Sequence, residues 1–228
     1  GCLSNAVWRI HKITGSMKMK KILVIGSLNA DMVVRVSHIP VAGETILAET
    51  VDMIPGGKGA NQAYAAGSLG AQTVMFGAVG VDRYAEIEKK SLQSVGVDVS
   101  RLLVRTDCAT GLAWITVNDA GDNSIVVVPG ANKTLSEKDI ADNDDLLHSC
   151  DIILCQLEIP IQTVLYAARR AKELGKTFIL DPAPAPKVFP SELCAYIDII
   201  KPNETELSLL TGKDVSDYES ASDMLRTK

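Results

Sequence analysis

The sequence predicts an α/β domain built on a mainly parallel central sheet, with a small antiparallel sheet beside it. Three observations carry that prediction. First, Ile22–Ile25, Val74–Val79, Ile152–Cys155 and Phe178–Leu180 are short, nearly continuous apolar runs, with Ile197–Ile200 a fifth that is interrupted by Asp198. Strands buried on both faces read this way, as they do in parallel sheets. Second, stretches of helical periodicity lie between these runs. Third, Asp31–Val36, Thr45–Met53, Leu112–Val117 and Ser124–Val128 are strand-like but not uniformly apolar, which suits a sheet with one wet face.

The elements follow in order. Gly1–Ser16 has no apolar core of signal-peptide type. We read residues 1–16 as a non-native or upstream leader without fixed structure, and 17–228 as the domain, because Met17-Lys-Met-Lys-Lys21 looks like a natural start running into the first strand. Gly59–Leu69 is helical and rich in small residues (Ala60, Ala63, Ala65, Ala66, Gly67), so it can approach a sheet closely, and Gly70 ends it. Asp119-Ala-Gly-Asp122 is a hairpin connection between two lid strands. Ile161, Val164, Leu165, Ala168 and Ala171 share a helical face, with Pro160 at the first helical position and Gly175 just past the end. The strand that follows at once completes a β-α-β unit of right-handed default. Ser220–Lys228 reads as an amphipathic helix, after which an alternating chain should supply another strand. The lid strands occupy about 31–53 and 111–128, and such a sheet suits a cover that excludes water from a site.

Composition narrows the function. Of 228 residues, 46% are hydrophobic and 22% charged, and the formal net charge is −5. With no long basic run, nucleic acid is not an expected partner. No apolar stretch reaches the ~18 residues that a membrane span needs. Five cysteines (Cys2, Cys108, Cys150, Cys155, Cys194) in irregular spacing fit reduced thiols in the cytoplasm. His148, Cys150 and Cys155 lie close together, but without C-x-x-C the cysteines read as small buried apolar residues rather than metal ligands.

Four motifs offer chemistry. Gly26-Ser-Leu-Asn29-Ala-Asp31 follows the first strand, where ligands bind in open parallel sheets. Asn29 and Asp31 suit sugar hydroxyls by donating and accepting, although a plain polar turn would look the same. Pro55-Gly-Gly-Lys-Gly-Ala-Asn61-Gln opens the Ala-rich helix, so its backbone N–H groups, Lys58 and Asn61 can face an oxygen-rich ligand. Lys58 is followed by Gly59, so this is not a Walker loop. Glu158, in Gln156-Leu-Glu158-Ile-Pro160, is either a site carboxylate or the acidic complement of a helix dipole. Lys201-Pro-Asn203-Glu-Thr-Glu206 has capping-box spacing, and the same helix start could also receive a phosphate, with Glu206 on a magnesium-bound water.

Taken together and in order, these stretches resemble the ribokinase-like (PfkB) family of carbohydrate kinases, from about Lys21 to Lys228. GSLNAD, PGGKGANQA, GDNSIVVVPGAN (121–132), QLEIP, LDPAPA (180–185) and KPNETE carry the resemblance, and GGKGANQ with NSIVVVPGAN favours the ribose-specific branch over adenosine or fructose kinases. The resemblance implies a three-layer sandwich and ATP-dependent phosphorylation of D-ribose at O5. It implies that Asn29, Asp31, Gly57, Lys58, Asn61 and Glu158 contact the sugar, that Asn203 contacts ATP and that Glu206 supports Mg²⁺. It also implies a homodimer formed through the lid. Two departures stand out. The family's G-x-D-x-x-G has no last glycine here, since Gly80-Val-Asp82 continues to Ala85. The family's G-A-G-D, which holds the catalytic base and opens the anion-hole helix, does not occur in the 228 residues, nor do the nucleotide loop and the monovalent-cation (K⁺) loop. The expectation is a C-terminally truncated kinase without turnover. The alternatives are a non-catalytic ribose-binding module and a kinase for another sugar or nucleoside.

Overall fold

A computed structural model describes residues 19–214. The leader, Cys2 and the helix expected over Ser220–Lys228 lie outside these residues. In chain order the strands and helices are β1 (Lys21–Ile25), β2 (Asn29–Arg35), β3 (Thr50–Gly56), α1 (Lys58–Ser68), β4 (Gln72–Phe76), β5 (Ala78–Gly80), α2 (Arg83–Ser94), β6 (Leu103–Arg105), β7 (Gly111–Val117), β8 (Asn123–Val128), α3 (Glu137–Asp142), α4 (Asp144–Ser149), β9 (Ile152–Cys155), α5 (Ile161–Glu173), β10 (Thr177–Leu180), β11 (Ile199–Ile200) and α6 (Glu204–Thr211).

The central sheet runs β11-β10-β9-β1-β4, and every pair in it is parallel. Side chains alternate along β1. Leu23 and Ile25 enter one core with Phe76, Ile153, Val164, Ala168 and Phe178, while Val24 enters a second with Leu28, Ala60, Ala63, Met75 and Leu92. α1 and α2 therefore cover one face and α3, α4 and α5 the other, which gives three layers. The uniform apolarity of the strands follows from this double burial.

The lid sheet runs β3-β2-β7-β8. Its outer pairs are antiparallel, as expected, but its central β2–β7 pair is parallel. The strand limits also differ from the expectation. β2 begins at Asn29 and β3 runs to Gly56, so the seven residues 29–35 pair in register with 50–56. Asn29 and Asp31 therefore belong to the lid rather than to a turn.

The strand expected through Val74–Val79 breaks at Gly77, and its second half pairs with β6. A Cβ at Gly77 would stand 2.5 Å from the Gly26 carbonyl oxygen, so the chain passes tightly beneath the exit of β1 there and leaves the sheet. β11 shrinks to Ile199–Ile200, because the Asp198 carboxylate accepts the Phe178 N–H at 2.8 Å and Asp198 interrupts the apolar face. Pro160 caps α5 rather than beginning it. Gly175 follows with φ 63°, which suits glycine. Ala85, where the family carries glycine, is a buried third residue of α2. Its N–H donates to the Asp82 carboxylate at 2.9 Å, and the other carboxylate oxygen takes the Thr110 N–H at 2.8 Å, so this corner is held without glycine.

α1 lies close against the exit of β1. A Cβ at Gly59 would be 2.6 Å from the Ser27 nitrogen and 2.7 Å from the Gly26 carbonyl carbon, both backbone atoms that cannot rotate away. Gly59→Ala should destabilise the fold by about 1–3 kcal/mol, seen as a lower urea midpoint at unchanged m-value.

Candidate functional site

β1 has β9 on one side and β4 on the other, reached through the lid and α1. The order of connections reverses at β1, so a crevice opens beyond the carboxyl ends of β1 and β9. Gly26–Asn29, Gly56–Lys58 and Gln156–Pro160 all arrive there.

Glu158 joins the three segments. One carboxylate oxygen accepts the Ser27 hydroxyl at 2.5 Å and the Lys58 backbone N–H at 3.0 Å. The Ser27 hydroxyl accepts the Gly59 N–H at 3.2 Å, and its carbonyl accepts Ala60 N–H at 2.9 Å. The helix-dipole reading of Glu158 holds in altered form, because the dipole it complements is that of α1 rather than of its own helix. Gly57, at φ 86°, makes the bend possible; a Cβ there would lie 2.8 Å from the Asn29 nitrogen.

Asn29 is 4% exposed. Its side-chain oxygen accepts an amide N–H of Asn132 at 2.8 Å, and Asn132 also binds the N–H and C=O of Leu28 at 2.9 and 3.1 Å. Asp31 projects from β2 against Gly56, where any side chain would collide with its carboxylate. Burial and the charge of Glu158 push its pKa up to about 6. Asn29 and Glu158 line one cavity of about 340 Å³ with Val127, Lys133 and Pro184. Asn61 is not brought to that cavity. It lines a separate hollow of about 270 Å³ with Tyr64, Glu88 and Ser91.

On the far side of Lys58, Asp181 follows β10. Its carboxylate accepts the Gln62 amide at 2.7 Å and lies 4.0 Å from the Lys201 ammonium. Its pKa is raised, chiefly by burial, with Lys201 and Lys58 opposing and Glu206 adding to the shift. Gln156 extends this chain by donating to Gln62 at 2.6 Å. Asn203 and Glu206 form the expected capping box on α6, at 2.8 and 2.9 Å. His148 turns to Asp144 at 3.2 Å, whereas Cys150 and Cys155 are buried and burial raises both thiol pKa values, so these three residues build no common site.

Sequence reasoning passed over Ser27, Gln62, Asn132, Asp181 and Glu88. Asp181 stood at a strand's carboxyl end, the same signal that found Glu158. Glu88 had no signal, since a helical Glu before two lysines reads as solvated. It is in fact fully buried, with one oxygen accepting the Gly56 N–H at 3.0 Å and the other without a partner. Burial pushes its pKa up to about 8, against the Gly56 hydrogen bond and with the help of Asp31.

Comparison with known proteins gives consistent matches. The model of the pfkB family carbohydrate kinases matches residues 19–228. A ribokinase of Haemophilus influenzae is 40% identical over 202 residues, which are 89% of this chain and 66% of that protein. A ribokinase of Staphylococcus aureus is 38% identical over 89% of this chain and 67% of its own length. A deoxyribokinase of Salmonella typhi is 37% identical over 87% and 65%. The chain thus spans about two thirds of these relatives, and slightly less in the first and third. Among solved structures, the Arabidopsis thaliana ribokinase complexed with ribose and ATP superposes with TM-score 0.85 at 34% identity, covering 92% of this chain and 69% of that one. The Thermotoga maritima ribokinase gives 0.82 at 32% identity, with coverage of 92% and 69%.

Glu88 holds its proton more tightly folded than unfolded. Its contribution to stability is full below its unfolded pKa of about 4.5 and is lost as pH rises to about 8. Glu88→Gln should therefore gain on the wild type through that window, by on the order of 3 kcal/mol at pH 8. Urea unfolding of both proteins at pH 5 and pH 8 reads the difference.

Proposed function

This chain belongs to the pfkB family of carbohydrate kinases, and on that premise we propose that it forms the sugar-binding part of a ribokinase, which transfers the γ-phosphoryl group of ATP to O5 of D-ribose. The observation that carries the reading is the Glu158 junction at the switch point, with Asn29 and Asp31 held beside it. A pentose presents hydroxyls that both donate and accept. The carboxylates of Asp31 and Glu158 accept from them, while Lys58, the Gly57 N–H and the amides of Asn29 and Asn61 donate. Asn61 faces its own hollow, so its contact with sugar requires the lid and α1 to close around the ligand.

ATP would lie toward β10 and β11, with Asn203 near its phosphates. Glu206 uses one oxygen in the capping box and leaves the other available, with Asp181 close enough to sense its charge. Among the described residues no cluster of three or more His, Cys, Asp or Glu could hold a metal unaided. Glu206 with Asp181 nearby fits Mg²⁺, which keeps its waters and takes only one or two carboxylates beside nucleotide phosphates. Glu206 would hold it through water, and the ion would neutralise charge on the transferring group. The 228 residues contain no G-A-G-D, so we ascribe deprotonation of O5 to that motif in the complete enzyme, and the K⁺ site likewise.

The outer lid strand β8 is exposed along its whole length, including Ile125, Val126, Val127 and Val128, with Trp114 beside it on β7. An apolar edge of this kind invites pairing with another chain, and a second copy of this protein is the partner we assign to it. Cys108, Cys150 and Cys155 are thiols rather than halves of disulfides, which agrees with a reducing compartment, and we place the enzyme in the cytoplasm. No helix among the described residues is long and apolar enough to cross a membrane.

Titration calorimetry of the 228-residue chain with D-ribose, and with 2-deoxy-D-ribose in parallel, tests the sugar reading. Specific heat with ribose is expected, and Glu158→Ala should reduce affinity at least tenfold, because a charge-assisted contact contributes about 1.5–3 kcal/mol. Absence of ribose binding would overturn the reading, and preference for deoxyribose would reassign the sugar. Ribose-dependent ADP formation should stay at background, since loss of a general base alone costs ~10²–10⁴-fold. Val126→Asp should move the sedimentation coefficient from dimer to monomer.

A further inference from the structure

Gly56 is flanked by two carboxyl groups. Asp31 lies against its α-carbon, and Glu88, coming from α2, accepts its N–H at 3.0 Å. Gly56 is also the last residue of β3 and stands next to Gly57, whose backbone enters the sugar crevice. The lid, the sugar loop and two acids thus share one residue. The second oxygen of Glu88 is buried without a partner, and Glu88 lines the hollow that Asn61 also lines.

We propose that Glu88 is a positioning residue for the sugar loop: as a neutral acid it holds Gly56 and lets Asp31 carry the single negative charge of the pair. The inference rests on the sugar site proposed above. A carboxylate at Glu88 would be a second buried charge beside Asp31, repelled by it and without a countercharge. β2 presents only Asp31 to it, α1 presents Tyr64, β3 presents the Gly56 N–H, β5 (Ala78–Gly80) has no ionisable side chain, and α2 itself adds Ser91 to the same hollow. The Gly56 N–H by itself favours the carboxylate, but burial and the Asp31 charge outweigh it, so an ionised Glu88 turns out toward water and the loop loses its tie. Burial places that ionisation near pH 8 and that of Asp31 near pH 6, so both steps fall within an accessible range.

The consequence is a bell-shaped dependence of ribose affinity on pH. The acid limb comes from protonation of Asp31. The alkaline limb comes from ionisation of Glu88, and above its midpoint affinity falls about tenfold per pH unit. Glu88→Gln keeps an acceptor for Gly56 and cannot ionise, so its alkaline limb should vanish while the acid limb stays. Glu88→Leu leaves the Gly56 N–H without its partner, and should weaken binding about fivefold or more at every pH.

Two measurements on the 228-residue chain decide this. Calorimetry with D-ribose from pH 5.5 to 9.5 reads the limbs in wild type and Glu88→Gln. An alkaline limb that persists in Glu88→Gln would refute the proposal. NMR of the ligand-free protein reads the Gly56 and Gly57 amides, which should shift with a midpoint near 8 in wild type and stay fixed in Glu88→Gln. Amides that do not titrate, or that titrate equally in both proteins, would also refute it. Amides that titrate as expected in a protein that binds no ribose would support the loop mechanism and reject ribose as its ligand.

Discussion

One carboxylate oxygen, on Glu158, sets the geometry of the crevice. It receives the Ser27 hydroxyl from the exit of β1 and the first backbone N–H of α1, which lie about 130 and 100 residues away along the chain. None of these groups can be satisfied locally. The N–H belongs to a helix start with no side-chain cap of its own, and Ser27 is fully buried. A buried hydroxyl or amide left unpaired costs free energy comparable to a lost hydrogen bond, so the three segments hold one another in place. Gly57 and Gly59 permit the approach, because each passes backbone at distances where a Cβ would collide. The tie uses one oxygen of Glu158, and Glu158 also lines the cavity, so in the proposed site a structural tie would serve as a binding group as well.

Much of this was legible in the residues. Both-face burial wrote itself into β1, β4, β9 and β10 as apolar runs, and the small residues of α1 announced its proximity to the sheet. The candidate site stretches were visible because they follow strands and carry short polar groups. What stayed hidden was relational. That the lid's central pair would be parallel, that Asn29 would lean on Asn132, and that Gln62 would link Gln156 to Asp181 are consequences of tertiary proximity between distant segments, and local periodicity does not encode them. Glu88 is the sharpest case. Its neighbours Glu86, Lys89 and Lys90 are polar, so the helix reads as amphipathic with Glu88 in water, and only the packing of α2 under the lid shows otherwise.

The polar interior divides into two regions with different electrical character. Around Glu158 and Asp31 the groups are chiefly acceptors, suited to hydroxyl donors. Around Asp181, Lys201 and Lys58 both signs occur within reach of one another, and that mixture suits a charged group which must be held yet neutralised. Lys58 sits at the boundary, with its N–H on Glu158 and its charge felt by Asp181. A phosphoryl group moving from nucleotide to sugar would cross this boundary.

The parallel β2–β7 pair has a consequence for how the molecule is assembled. Asn29 meets Gly111 across some eighty intervening residues, and those residues include α1, β4, β5, α2 and β6. Half of the lid is therefore synthesised early and waits, with an unpaired strand edge, until the other half has left the ribosome. Contacts of such separation are slow to close, because chain entropy must be lost before they form. In the interval β2 and β3 can rely only on each other, and an isolated two-stranded ribbon is at best marginal in water. The small sheet proposed to cover the sugar is thus also the part whose completion is most delayed during folding, and the most exposed to wrong partners.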